Sequence, residues 1–496
     1  MSGFDPRPTI PWLPTIPLPT IPTRRASRAL LAAALAGVLA VPVLAASDPT
    51  AAAARRAFDA ARESSLAYEV VEHLADRVGP RPGGSPAHAT AVQYVSELLT
   101  SWGFTVRQDR VSVLRWQRGD ESGEVVAPVH QRLSLVALGG SVPTPPAGIE
   151  AELVEVRSFE ELSGLGDRVR GRVVLFNRPF DPALVAAGRA DDAYGATSGL
   201  RVFGASRAAA QGAVAVLVRS LATASLRSPH TGIMVYEPDR PRVPAAAVAT
   251  EDADLLHRLL AKGAPVKVRV RLASTTDAAA PSVNLIADLP GTAAPREIVL
   301  LAAHLDSWDL GTGAVDNASG VGMVLGAARA VQALGPSRRT LRLLLSTGEE
   351  TGYEGARAYW AAIAKPGDPG GGHVAAIECD LGVGRPLGFV SNVPTSNLAP
   401  LADVVAAIHS LGAEITYAKD RGGEIETLAE HGVPVFALRP DPSRYFDVHH
   451  TAADTLDKVD AVELRENTAA VAALAATLAN STLPVVPPPA AAEAKK

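Results

Sequence analysis

Two apolar periodicities alternate along the chain. "AYEVVEHLADRV" and "SPAHATAVQYVSELLTSWGF" carry apolar residues at helical spacing, flanking a Gly/Pro loop, "GPRPGGS". "FTVRQDRVSVLRW" alternates as a strand does. From about residue 135 to 280, short Val-rich runs ("GIEAELVEV", "GRVVLFNRPF", "AVAVLVRS", "VPAAAVA", "VKVRVRLAS") are separated by Gly/Pro turns. With two or three helices between them, they predict a separate, strand-rich unit. From "SVNLIADLP" onward strands and helices take turns. Strands are expected at "EIVLLAAH", "TLRLLLST", "HVAAIECD" and "VPVFALR", with helices at "GVGMVLGAARAVQAL" and "EGARAYWAAIA". The expected fold class is α/β, a mixed and mostly parallel sheet with helices on both faces. Ligands of such sheets sit beyond the carboxyl ends of the strands.

The charged residues fall at those ends. His304 closes "EIVLLAAH"; Asp306, Asp309 and Asp316 follow within the next dozen positions; Glu349 and Glu350 follow "TLRLLLSTG"; Asp380 closes "HVAAIECD"; His449 and His450 follow "RYFDV". Acids beside an apolar core are costly unless something compensates them. Imidazoles and carboxylates from separate strands suit divalent zinc, which takes N and O donors and makes a cluster of acids favourable. Positions i and i+2 of a strand share a side, so Asp306 is expected to reach the far nitrogen of His304. Of the adjacent Glu349 and Glu350, one can bind metal while the other handles protons. That division suggests metal-assisted hydrolysis. An isolated HxD, EE or HH would more often be an ordinary loop; their succession after strands of one sheet favours a metal site. No HExxH helix, GxSxG elbow, Walker loop or CxxC pair competes with it. Cys379, inside an expected buried strand, is a weak candidate nucleophile.

Composition narrows the classes. The 496 residues are 47% hydrophobic and 20% charged with a net charge of -5, so two folded units are expected and no basic footprint points to nucleic acid. With one cysteine no internal disulfide can form, which leaves the redox compartment open. Arg24, Arg25 and Arg28 precede the uncharged run 29–46 and then "SDPT", the pattern of a cleaved secretory signal. Its many alanines make a poor stable anchor, so no stable membrane insertion is expected after cleavage. "PTIPWLPTIPLPTIP" ahead of it reads as unstructured, and so does the tail 485–496.

The motifs "HLDSWDLGTGAVDNASG", "STGEETGYEGA", "ECDLG" and "HHTAADT" resemble those of the M28 co-catalytic zinc peptidases, closest to the carboxypeptidase Q branch. "GPRPGGS", "VALGGSVPTPPAGIEAELVEV", "GRVVLFN" and "SPHTGI" extend the likeness over roughly residues 65 to 480. The resemblance implies a catalytic domain made of 47–134 and 281–484, and a protease-associated domain inserted at 135–280. It implies two zinc ions: His304 and Asp380 on one, Glu350 and His450 on the other, Asp316 bridging. Glu349 would be the general base and acid, and Asp306 the partner of His304. His450 is preferred to His449 because the family's ligand stands directly before a Ser or Thr, here Thr451. Asn317 departs from the family's frequent second Asp. Residues around Tyr445 and the loop 420–426 are expected at the substrate pocket, and His230 either near it or in a structural role.

The function so implied is an exported di-zinc exopeptidase, periplasmic or secreted, acting on dipeptides or the ends of short peptides. An aminopeptidase and an N-acyl amino acid amidohydrolase are the alternatives on the same site. A non-catalytic binding protein and a single-zinc glutaminyl cyclase are the more distant rivals. Family resemblance also implies a homodimer.

Overall fold

The computed structural model describes residues 49–224, 226–364, 370–418, 423–482 and 484. The expected signal run, the proline-rich segment, the tail 485–496 and residues 420–422 lie outside them. The sheet of the metal-site half runs Glu414–Tyr417, Pro386–Ser391, Val435–Pro440, His373–Glu378, Ala294–His304, Arg339–Ser346, Lys267–Leu289 and Thr105–Ala127. The four central strands from 435–440 to 339–346 are mutually parallel; Pro386–Ser391 and Lys267–Leu289 pair antiparallel to their flanks. The expected α/β class is what the chain adopts.

Both faces of this sheet are covered, which explains the near-continuous apolar runs. Val299, Leu301 and Ala303 pack with Val321, Val324 and Val331 of the Ser319–Ala333 helix and with Leu474 of the Ala461–Asn480 helix. Leu300 and Ala302, pointing the other way, pack with Ala356 and Trp360 of Glu354–Ile363. The sequence pattern does not announce the Ala461–Asn480 helix or the strands Pro386–Ser391 and Glu414–Tyr417. From Thr468 to Ala479 every residue of that helix is buried, so it shows no amphipathic stripe.

Residues 135–280 continue the sheet from Lys267–Leu289, to which Ile149–Val156 pairs antiparallel, through Val173–Phe176, Ala215–Arg219 and Ala245–Val248 to Leu135–Ala137. The four strands from Ile149–Val156 to Ala245–Val248 are mutually parallel; helices Phe159–Leu165 and Ala190–Ala209 lie between them in sequence, and Thr250–Leu260 follows the last of them. Separate apolar clusters form around Leu175 and Leu217 and around Val174 and Val216, one for each side of the strands. The two halves of the sheet meet at the antiparallel ribbon of Thr105–Ala127 and Lys267–Leu289, each strand 23 residues long. Lys267–Leu289 therefore runs unbroken from one half into the other. Among the described residues no helix is long and apolar enough to cross a membrane.

Candidate metal centre

His304, Asp316, Glu349, Glu350, Asp380 and His450 come from four chain segments that follow neighbouring strands, and they meet. The His304 Nε2 lies 3.2 Å from Asp316 Oδ1 and 3.0 Å from Asp380 Oδ1. The His450 Nε2 lies 3.3 Å from Asp316 Oδ2 and 3.1 Å from Glu350 Oε2. The two oxygens of Asp316 are thus divided between two imidazoles, each with its own second carboxylate. Glu349 stands slightly apart, its Oε2 4.0 Å from His304 Nε2. His449 also approaches, with Nε2 3.6 Å from Asp316 Oδ2, and its ring stacks on His450 at 3.5 Å. Only His450 of the pair is ion-paired with Glu350.

The far side of each imidazole faces a backbone carbonyl. His304 Nδ1 is 3.1 Å from the Asp306 oxygen, and His450 Nδ1 is 3.2 Å from the Thr231 oxygen. A carbonyl only accepts, so Nδ1 carries a hydrogen, and Nε2 is the nitrogen turned to the cluster and available to a metal. Here the structure differs from the expectation for Asp306. Its carboxylate is 3.8 Å from His304 Nδ1, and its Oδ1 instead accepts from the Glu349 N–H at 3.4 Å. The i, i+2 rule fails because the strand ends at His304. Asp306 still touches the ring, but through its main chain.

The electrostatics are those of a cation site. Burial works against charge on His304, but Asp380, Glu349 and Asp316 outweigh it and hold the imidazole well above its usual range. Glu350 and Asp316 do the same for His450. Burial and Asp316 push Glu350 up to about 7, and burial with Asp380 and Glu350 raises Glu349 well above the usual range although His304 opposes it. Burial alone would raise Asp316, but the two imidazoles hold it well below its normal range. Glu350 Oε1 is buried without a hydrogen-bond partner. The atoms of His304, Asp316 and Glu350 lie within 4.8 Å of one another, as do those of Asp316, His449 and His450. N and O donors at this spacing, with an unpartnered buried oxygen, fit divalent zinc.

Neighbouring residues fix this arrangement. Asp454, in the same "HHTAADT" motif as His450, accepts from the Val315 N–H at 2.6 Å and the Asp316 N–H at 3.1 Å. Asp454→Ala would leave both donors buried and unpaired. A loss of about 2 kcal/mol or more is expected in urea unfolding, with weakened metal binding. Asn317 explains its own departure from the family pattern: its Nδ2 donates to the Cys379 carbonyl at 2.9 Å while its Oδ1 accepts from Gly320. An aspartate could not donate there. Arg81, fully buried, donates to the carbonyls of Leu305, Thr312 and Gly313 at 2.7 to 2.9 Å and so shapes the loop between His304 and Asp316. Its only sequence signal is the "GPRPGGS" motif.

Other candidates resolve differently. Asp309 forms a bidentate pair with Arg118, at 2.9 and 3.0 Å, and stands outside the cluster of ligating atoms. Cys379 is buried, and burial together with Glu378 and Asp380 pushes its thiol far up, away from nucleophilic use. A cleft of about 390 Å³ opens over the cluster, and Tyr445 and Gly423 line it as expected. His230 is buried and does not line it; its neighbour Thr231 supplies the carbonyl facing His450.

Comparison with known proteins shows the family. The sequence profile of Peptidase family M28 matches residues 284–475. Carboxypeptidase Q of Mus musculus is 33% identical over 419 residues, covering 83% of this chain and 85% of the mouse protein. The crystal structure of a peptidase M28 precursor from Shewanella amazonensis superposes with a TM-score of 0.83 at 35% identity, over 88% of this chain and 99% of that one. BSAP, a zinc aminopeptidase from Bacillus subtilis, shares the fold at 19% identity and a TM-score of 0.61, over 85% of this chain and 97% of its own.

Proposed function

The chain belongs to peptidase family M28 and is a metallopeptidase, and from that premise we propose an exported di-zinc exopeptidase that hydrolyses dipeptides or terminal residues of short peptides. The observation that carries it is Asp316, whose two oxygens are divided between His304 and His450 while Asp380 and Glu350 complete the two halves. In this reading His304 and Asp380 would hold one zinc, Glu350 and His450 the other, and Asp316 would serve both. Zinc bound there supplies Lewis-acid activation of water and of the peptide carbonyl.

The protein's own groups do the rest. Glu349 takes the proton of the attacking water and returns it to the departing amine; it stands beside the cluster, 4.0 Å from His304 Nε2, and outside the groups of ligating atoms. Asp306 orients His304 through its carbonyl and steadies the Glu349 N–H through its carboxylate. Residues 47–134 and 281–484 form the catalytic domain, and 135–280 the inserted protease-associated domain. The arginines 24, 25 and 28 ahead of the apolar run 29–46 support export to the periplasm or beyond.

Two measurements test this reading. Free, N-acetylated and C-amidated forms of one dipeptide are offered to the mature chain, with zinc and with a chelator. Zinc-dependent cleavage of the free form alone means a dipeptidase. Cleavage of the amidated form as well means an aminopeptidase, and of the acetylated form a carboxypeptidase or acylamino-acid hydrolase. Absence of any cleavage with two zincs bound would sink the proposal. Secondly, without metal the imidazoles of His304 and His450 are held above their usual range and Glu350 up to about 7, so zinc must displace protons to bind. Zinc affinity is therefore expected to rise from about pH 6 to 8, with proton release detectable by calorimetry in buffers of different ionisation enthalpy. A pH-independent affinity would contradict the ligand assignment.

A further inference from the structure

Arg201 is a buried cation of this cleft, and among the described residues it has no counter-ion. It stands in the Ala190–Ala209 helix, is 6% exposed, and lines the same cleft as Glu349, Glu350, Asp380 and the paired histidines. Its Nη2 donates to the Tyr194 hydroxyl at 2.8 Å, while its Nε is buried with no partner. Gly232 makes room for the guanidinium: a Cβ there would fall 2.5 Å from Nη1 and 2.6 Å from Cζ. The preceding residue, Thr231, is the one whose carbonyl faces His450, so a single loop cradles the arginine and orients the histidine.

A buried guanidinium is costly unless an anion meets it. Its planar fork matches a carboxylate better than any other common group of a peptide. In a C-terminal residue the carboxylate carbon lies only two bonds beyond the scissile nitrogen, so its receptor must share one small cleft with the hydrolytic groups. Arg201 does. We propose that Arg201, aimed by Tyr194, receives the free α-carboxylate of the substrate's C-terminal residue, a proposal that rests on the exopeptidase reading above. It makes the enzyme selective for cleavage next to a free carboxyl terminus, and so disfavours aminopeptidase action on longer chains.

The test compares the zinc-loaded wild type with Arg201→Met and Tyr194→Phe on three substrates: a free dipeptide, its C-terminal amide, and an amidated dipeptide whose second residue is glutamate. The wild type should prefer the free dipeptide. Arg201→Met should raise KM for it by about 100-fold, with the plain amide little changed and with zinc content and Tm retained. Tyr194→Phe keeps the ring and the charge and should give a smaller KM rise confined to the free acid. Equal losses on acid and amide would overturn the proposal, and so would a loss confined to the glutamate side chain. If Arg201→Met does not fold, the outcome for Tyr194→Phe decides: a KM rise specific to the free acid supports the assignment, and none overturns it. A wild type that cleaves acid and amide equally well overturns this proposal while the exopeptidase reading stands. A wild type that cleaves nothing overturns both.

Discussion

Glu349→Gln is expected to lower kcat by about 1,000-fold or more while zinc content, KM and Tm stay near those of the wild type. The side chains are nearly isosteric, so packing is kept and the backbone N–H still reaches Asp306. What changes is that an amide cannot take and return a proton. Glu350→Gln gives the contrast. Glu350 is paired with His450 at 3.1 Å and belongs to a ligating group, so its loss should appear first as lost zinc. Activity of the Glu350→Gln protein should recover in part at raised zinc concentration, whereas that of the Glu349→Gln protein should not. Metal analysis and kinetics on both proteins check the distinction. Full turnover by the Glu349→Gln protein with zinc bound would remove Glu349 from the mechanism.

That Glu349 and Glu350 face different imidazoles was legible in sequence because adjacent residues after a strand point different ways. Much of the cluster was legible for a similar reason. Runs such as "EIVLLAAH" and "TLRLLLST" are apolar on both faces, which only a covered central strand tolerates, so acids at their ends had to lie at the sheet's carboxyl edge. The same rule misled at Asp306, since period-two geometry was carried past the last strand residue. Thr231 was hidden for another reason: its contribution is a backbone oxygen, and no residue type encodes that. Arg81 serves carbonyls more than 220 positions away, a closeness that no local pattern expresses. Arg201 lies in a helix of small residues with no apolar stripe, and only the fold reveals that its charge is buried and its Nε unpartnered.

Asp316→Asn should affect both halves of the centre at once. The carboxylate offers one oxygen to each imidazole, at 3.2 and 3.3 Å, and against its burial the ring pair holds it well below its normal range. An amide retains one oxygen and replaces the other with an N–H₂ group that cannot ligate. One half of the site therefore loses its shared donor whichever way the amide turns, and the remaining half loses negative charge. Bound zinc is expected to fall from two per chain to one or none, and dipeptide hydrolysis to drop to the background. Stability separates this from simple misfolding. Zinc at a hundredfold excess over its dissociation constant should stabilise the wild type by about 2.7 kcal/mol per site, raising Tm. The metal-free Asp316→Asn protein should still melt cooperatively but below the metal-free wild type, because the two imidazoles lose the carboxylate they share, and most of the zinc-induced rise should be gone. If it still takes up two zincs with wild-type affinity, Asp316 does not bridge, and the centre must be built around His449 or another carboxylate instead.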